Sequence, residues 1–318
     1  MTKILISRPL PDAVIEAARG RFDVTLRDDT QPMTDAEMRD ALVAYDGILP
    51  TLGDRFSADI FAQVPNPRAK ILANFGVGYN HIDVAAAKSV GLTVTNTPGA
   101  VTDATADIAL TLMLMSARRA AEGERLVRSG NWQGWHPVQM LGLHMSGKIL
   151  GVIGMGRIGK AIARRAHHGF GMDIIFYNRS QVADAEVAAG QLDTIAEVMK
   201  AADVVVIAVP GSPATHHLID AEALAEMQDH AHLINISRGD VVDEDALISA
   251  LKSGRIGGAG LDVYENEPEI PAALRALDNV TLLPHLGTAA LEVRTDMGMM
   301  ALDNLVAFFA GEAPLNLV

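Results

Sequence analysis

Residues 148–165 read KILGVIGMGRIGKAIARR, and this stretch decides the fold. Lys148 to Ile153 form an apolar run of strand character, Gly154, Gly156 and Gly159 space a turn, and Arg157 to Arg165 continue with helical spacing. Each glycine has a physical use in such a strand–turn–helix unit. Gly154 permits a tight turn, Gly156 lets the backbone approach a pyrophosphate, and Gly159 lets the helix pack closely on the strand. Met155, Arg157 and Ile158 complete the turn, where unsatisfied N–H groups of the helix start face phosphate oxygens. A lone glycine motif could be a structural turn. With the strand before it and the helix after it, it reads as a dinucleotide cradle.

The pattern extends in both directions. Downstream, MDIIFYN, DVVVIAVP, HLINIS, GAGLDV and VTLLPH are continuous apolar runs, as expected of parallel strands buried on both faces. Upstream lie a long helical stretch, about Ala104 to Ser129, and the Trp-rich loop NWQGWHP. In the first hundred residues KILIS, DVTL, GILPT, ILANF and LTVTN read as strands with helices between them. One of those helices opens with Thr34 and Glu37, a capping-box spacing. A final helix, about Leu291 to Ala310, is expected to pack back on the first series. The pattern predicts an α/β protein of two Rossmann-like or flavodoxin-like βαβ domains with parallel sheets. Residues 1–98 plus 288–318 would form a discontinuous substrate-binding domain, and 99–287 the dinucleotide-binding domain.

Composition narrows the function. The chain has 318 residues, 49% hydrophobic and 20% charged, which describes a globular protein and excludes extended disorder. A formal charge of −13 argues against nucleic-acid or anionic-membrane partners. No run of about 18 apolar residues suggests a membrane span, and no signal peptide is recognisable, so a cytoplasmic location is expected. There is no cysteine and no HExxH. The adjacent pairs His167-His168 and His216-His217 should point their side chains apart, so no metal site is expected.

After MDIIFY come Asn178, Arg179 and Ser180. An NAD-specific site usually places an acid here to bind the ribose 2′-OH and repel a 2′-phosphate. Donors and a cation in its place favour NADP(H), with NAD(H) possible. Arg238, Glu267 and His285 then follow at or just after the ends of apolar runs. Each alone is ordinary. A cation to hold a carboxylate, and an imidazole paired with a carboxylate to deliver a proton, are together the equipment for reducing a 2-oxo acid beside a nicotinamide.

In these phrases the chain resembles the D-2-hydroxyacid dehydrogenases, most of all the NADPH-dependent glyoxylate/hydroxypyruvate reductases. The resemblance runs through NFGVGYNHID, VIGMGRIGKAIARR, INISRGDVVDEDAL, GAGLDVYENEP and LLPHLG, in order and over nearly the whole chain. It implies an active site in the cleft between the domains, with Arg238 binding the substrate carboxylate and carbonyl. His285 would be the acid in reduction, and Glu267 would orient it and favour its protonated form. Val77 and Gly78 would hold the substrate carboxylate through backbone N–H groups, with Leu52 as a candidate pocket wall. Asp262, Pro210, Ile236, His285 and Gly287 match positions lining the cofactor. The Trp-rich loop matches a dimer arm, so a homodimer is expected, with Trp135, or failing it Trp132, reaching the neighbouring site. Formate dehydrogenase is disfavoured because that branch pairs its histidine with glutamine. Broader 2-ketoaldonate or aromatic 2-oxo acid reduction, or a nucleotide-sensing corepressor on the same fold, are the alternatives.

Overall fold

Strands that are apolar throughout need helices on both faces of their sheet, and the computed structural model meets that need separately in two units. It describes residues 1–318. The first unit comprises Met1–Val101 and Ala289–Val318, the second Thr102–Thr288. In the first, β1 (Lys3–Ile6), α1 (Asp12–Arg19), β2 (Asp23–Leu26), α2 (Asp35–Ala44) and β3 (Gly47–Leu49) are followed by α3 (Ala58–Gln63), β4 (Ile71–Ala73), α4 (Val84–Ser89) and β5 (Thr93–Thr95). The sheet is parallel in the order β2-β1-β3-β4-β5, the flavodoxin-like order. Side chains alternate across it. Leu5, Ile48 and Leu72 enter one apolar core, and Ile4, Ile6, Leu49, Ile71 and Ala73 the other. The capping box at α2 forms as expected, with Thr34 Oγ1 accepting from the Glu37 N–H and the Glu37 carboxylate from the Thr34 N–H.

The second unit opens with α5 (Thr102–Ala117), α6 (Ala120–Arg128), β6 (Ile149–Ile153), α7 (Arg157–Phe170), β7 (Asp173–Tyr177) and β8 (Ala189–Leu192). It continues through α8 (Ile195–Ala201), β9 (Val204–Ile207), α9 (Ala221–Glu226) and β10 (His232–Asn235). A short 3-10 turn (Gly239–Val241) leads to α10 (Glu244–Ser253), β11 (Gly258–Leu261), α11 (Ala272–Arg275) and β12 (Val280–Leu282). All seven strands are parallel, in the order β12-β11-β10-β9-β6-β7-β8. This is the Rossmann order with one strand added, and its direction reverses between β6 and β9. Leu150, Val152, Val204, Val206 and Ile234 face the core under α5 and α7; Ile153, Val205, Ile207 and Leu233 face the core under α8, α9 and α10. The last helix, α12 (Leu291–Phe309), belongs to the first unit, where Ala301, Leu302 and Leu305 cover Ile4, Ile6 and Ile71.

Two details differ from the sequence expectation. β8, with the sequence AGQL, is a seventh strand pairing only with β7, so it never needed an apolar run. The stretch expected as one helix from 104 to 129 is two, broken at Arg119, which has φ 52°. The Ala117 carbonyl accepts from the Leu143 N–H at 2.7 Å, so a distant segment supplies the bond that would have continued the helix. No helix is long and apolar enough to cross a membrane.

Candidate active site

The turn from β6 to α7 lies where the strand order reverses, the usual ligand position in open parallel sheets. Gly154 has φ +101°, and a Cβ there would lie 2.8 Å from the Ala208 carbonyl oxygen. A Cβ on Gly159 would lie 2.2 Å from the Gly154 oxygen. Both glycines are therefore needed for the backbone to close on itself. Gly156 is different, because a Cβ there would meet nothing within 4 Å. That space opens at the start of the 14-residue α7, whose first turn has no side-chain cap. Arg157 and Ile158 begin this helix, and Met155 is buried beneath the turn. Free helix N–H groups beside open space suit a pyrophosphate.

Further along the same edge, Pro210 follows β9, its carbonyl accepting from Thr215 Oγ1 at 2.9 Å. Ile236 is buried just past β10. Beyond β7, Asn178 Nδ2 donates to the Ser180 carbonyl at 3.0 Å, and Gln191 Nε2 donates to the same carbonyl at 3.1 Å. These bonds shape a short loop in which Arg179 is exposed and outside every ion pair of the fold. The residues fit a dinucleotide, and the loop after β7 carries one exposed cation.

The proposed catalytic residues occupy three successive loops at this strand edge. Arg238 follows β10 and is half-buried, with Nη1 donating to the Ser237 carbonyl at 2.7 Å. Burial lowers its pKa, yet a guanidinium stays protonated at any ordinary pH. Glu267 follows β11. Its Oε1 accepts from the Tyr264 N–H at 3.0 Å, and its Oε2 lies 2.8 Å from His285 Nδ1. Burial alone would raise the Glu267 pKa; the hydrogen bonds from His285 and Tyr264 and the nearby Arg238 charge outweigh it and hold it below the usual carboxylate range. His285 follows β12 in the left-handed region, φ 55°. With Nδ1 engaged by Glu267, Nε2 is the nitrogen left for a reacting group. Backbone strain in a non-glycine residue beside such a pair is typical of functional sites.

Asp262 explains how His285 is held. Its Oδ1 accepts from the Leu286 N–H at 2.6 Å and its Oδ2 from the Gly287 N–H at 2.8 Å, while the Gly287 carbonyl accepts from Thr105 Oγ1 at 3.2 Å. Burial raises the Asp262 pKa and these bonds only partly offset it. Both of its oxygens are engaged by the histidine loop.

Residues 110–287 match the D-isomer specific 2-hydroxyacid dehydrogenase family, NAD binding domain. The chain is 41% identical to a glyoxylate reductase of Thermococcus onnurineus and 42% identical to one of Pyrococcus furiosus, each alignment covering 99% of this chain and 95% of the relative. It belongs to the D-2-hydroxyacid dehydrogenase family. Its fold matches the crystal structure of an NADPH-dependent glyoxylate/hydroxypyruvate reductase from Sinorhizobium meliloti in complex with NADP and malonate. The TM-score is 0.86 and the identity 35%, covering 100% of this chain and 96% of that one. This D-2-hydroxyacid dehydrogenase is thus an oxidoreductase with an NAD-binding domain, related to enzymes of 2-oxo acid reduction.

The remaining predicted residues of the dehydrogenase lie elsewhere. In the first unit, Asn74 Nδ2 donates to the Gly76 and Gly78 carbonyls at 3.0 Å, and Asn96 Nδ2 to the Val77 carbonyl at 2.9 Å. The loop's carbonyls are thereby occupied, whereas the N–H groups of Val77 and Gly78 donate to nothing in the fold. Leu52 is 37% exposed. Trp135 and Trp132 are exposed, together with Val127, Val138 and Leu141.

Sequence reasoning missed the parts that act through backbone. A Cβ on Gly239 would lie 1.8 Å from the Tyr264 carbonyl carbon, so only glycine lets the Arg238 loop rest on the Glu267 loop. Tyr264 Oη donates to the Leu283 carbonyl at 2.8 Å, two residues before His285. The Arg-Gly pair was the available signal for the first; nothing in the sequence marked the second. The histidine pairs do not diverge. His216 and His217 stack with centroids 4.0 Å apart, because His217 takes φ +48°, and His167 and His168 meet edge to face at 5.0 Å.

Proposed function

We propose that the protein reduces glyoxylate and hydroxypyruvate to glycolate and D-glycerate with NADPH, His285 serving as general acid. The observation that carries this is the 2.8 Å contact between Glu267 and His285 Nδ1, which leaves Nε2 for the substrate and sits beside the Arg238 charge. A nicotinamide cofactor, when held by these residues, would supply the hydride that the substrate carbonyl carbon takes up. Nε2 of the imidazolium gives its proton to the carbonyl oxygen, and Glu267 keeps the ring oriented and compensates its charge. Arg238 holds the substrate carboxylate and polarises the carbonyl. In the first unit we assign substrate contacts to the N–H groups of Val77 and Gly78 and to Leu52.

Gly154 to Gly159 hold the pyrophosphate on the α7 N-terminus, and Pro210, Ile236 and Gly287 line the nicotinamide end. Asp262 supports that end by fixing the histidine loop. Asn178, Arg179 and Ser180 take the 2′-phosphate, supported by the exposed cation and the absent acid. The exposed Trp135, with Trp132, Val138 and Leu141, is assigned to a homodimer contact, since aromatics favour shared buried surfaces. The test is NADPH oxidation by the purified protein with glyoxylate, hydroxypyruvate and phenylpyruvate. The two short acids should be turned over with kcat/KM above that for phenylpyruvate. Turnover of phenylpyruvate alone, or of none of them, would overturn the assignment.

A further inference from the structure

We propose that Asn74 and Asn96 are positioning residues for substrate binding: their buried amides hold the carbonyls of the 76–78 loop inward and so turn the Val77 and Gly78 N–H groups outward to the substrate carboxylate. The inference rests on the reductase reading above, which assigned those N–H groups but not what aims them. Asn74 directly follows β4 and Asn96 directly follows β5, and both are buried in the first unit. Asn74 Nδ2 donates to the Gly76 and Gly78 carbonyls at 3.0 Å each, and its Oδ1 lies 3.0 Å from His81 Nε2. Carbonyl oxygens only accept, so both hydrogens of the Asn74 amide are spent on the loop. Its Oδ1 then accepts, and His81 Nε2 is the donor that fixes the orientation of the amide. Asn96 Nδ2 donates to the Val77 carbonyl at 2.9 Å.

These bonds reach the N–H groups through the geometry of the peptide unit. In a planar trans peptide the N–H of one residue points opposite to the C=O of the residue before it. The one cis bond in the chain is Glu267-Pro268, so the rule applies throughout the loop. An inward Gly76 carbonyl therefore sets the Val77 N–H outward, and an inward Val77 carbonyl does the same for Gly78. The Thr97 N–H reinforces the first, donating to the Gly76 carbonyl at 3.1 Å. The two asparagines are themselves anchored through their backbones. The Asn74 N–H donates to the Thr95 carbonyl at 3.0 Å, and the Asn96 N–H to the Asn316 carbonyl at 3.1 Å. No charged side chain occurs from 74 to 80, so within this loop the backbone alone can favour an anion. Outward N–H groups attract a carboxylate, whereas a rotated peptide would present a carbonyl oxygen that repels it.

The experiment compares Asn74→Leu and Asn96→Leu with the wild type; leucine keeps the side-chain shape and removes the donors. Each should raise KM for glyoxylate about tenfold, the size of a lost hydrogen bond to a charged group. The kcat should stay within about threefold, because the carboxylate is held alike in ground and transition states. NADPH affinity should not change. His81→Leu and His81→Gln test the same relay without touching the buried amides. Glutamine can still donate to Asn74 Oδ1, so His81→Gln should keep KM near the wild-type value and His81→Leu should raise it. In protein labelled with heavy nitrogen, the Val77 and Gly78 amide protons should shift when the unreactive 2-oxo acid analogue oxamate binds the wild type. Those shifts should shrink in Asn74→Leu and Asn96→Leu. Wild-type KM and oxamate shifts in both of these variants would overturn the inference while leaving the reductase reading intact. An equal loss of kcat, NADPH affinity and KM in every variant, His81→Gln included, would mark a merely structural role and also overturn it. A wild type that does not turn over glyoxylate would instead overturn the reductase reading.

Discussion

Two histidine–carboxylate pairs lie at opposite edges of the seven-stranded sheet. At the carboxyl edge His285 Nδ1 meets Glu267 at 2.8 Å; at the amino edge His230 Nε2 meets Asp203 at 2.7 Å. The contacts are alike and their surroundings are not. Asp203 also accepts from the Ile149 N–H and lies 3.7 Å from Lys148 Nζ, so it ties strand starts together. Glu267 has Arg238 nearby, and its histidine sits on strained backbone beyond the dinucleotide turn. The contrast teaches that the pair itself is not diagnostic. What marks chemistry is the strand edge, the left-handed backbone at the histidine and the place beyond the dinucleotide turn.

The sharpest way to break this contrast is to remove each histidine. His285→Ala should lower kcat about 10²–10⁴-fold, the range of a lost general acid, while His230→Ala should leave kcat nearly unchanged. Equal effects in steady-state assays would erase the distinction between the edges.

The amino edge should instead be visible in acid stability. His232, buried beside Ser116 Oγ at 2.8 Å, has its pKa lowered to about 4, chiefly by burial. Below pH 6.5 the unfolded chain takes up a proton that the folded one refuses, so stability is lost as pH falls from about 6.5 to about 4, by up to about 3 kcal/mol. Glu267, with its lowered pKa, adds loss only as pH falls below the ordinary carboxylate range. Urea unfolding at pH 7 and pH 4.5 should show the fall in the wild type and a smaller one in His232→Gln. A wild type equally stable at both would contradict it.

Smaller effects refine the carboxyl edge. Arg238→Gln should lower kcat/KM for glyoxylate by about 10–10²-fold, the worth of a charge-assisted contact, with little change in NADPH affinity. Arg179→Ala should do the reverse, reducing the preference for NADPH over NADH by about tenfold through weaker NADPH binding. Cofactor titrations followed by fluorescence would separate the two.

The parallel sheets were legible because strands buried on both faces leave continuous apolar runs, as in VVVI of β9 and ILGVI of β6. β8 escaped notice because an edge strand such as AGQL carries no such run. The break at Arg119 was invisible because arginine favours helices and the interruption comes from Leu143. At the candidate site, the side chains of Arg238, Glu267 and His285 stood out in their phrases. The contacts of Gly239 and Tyr264 did not, because they run through main-chain atoms whose neighbours only the fold brings together.

The return of α12 to the first unit has a consequence for synthesis. Ile4, Ile6, Leu49 and Ile71 leave the ribosome early, but the helix residues that cover them, Ala301, Leu302 and Leu305, emerge only after the whole second unit. The strand edge at Thr95 likewise waits for Leu317, and Val94 for Val318. At 5–20 residues per second the gap is roughly 10–40 s. The second unit, continuous from 102 to 288, can mature during that time, whereas the first must remain incomplete. Nascent chains halted near residue 290 should therefore resist protease over the second unit and be cut within the first hundred residues.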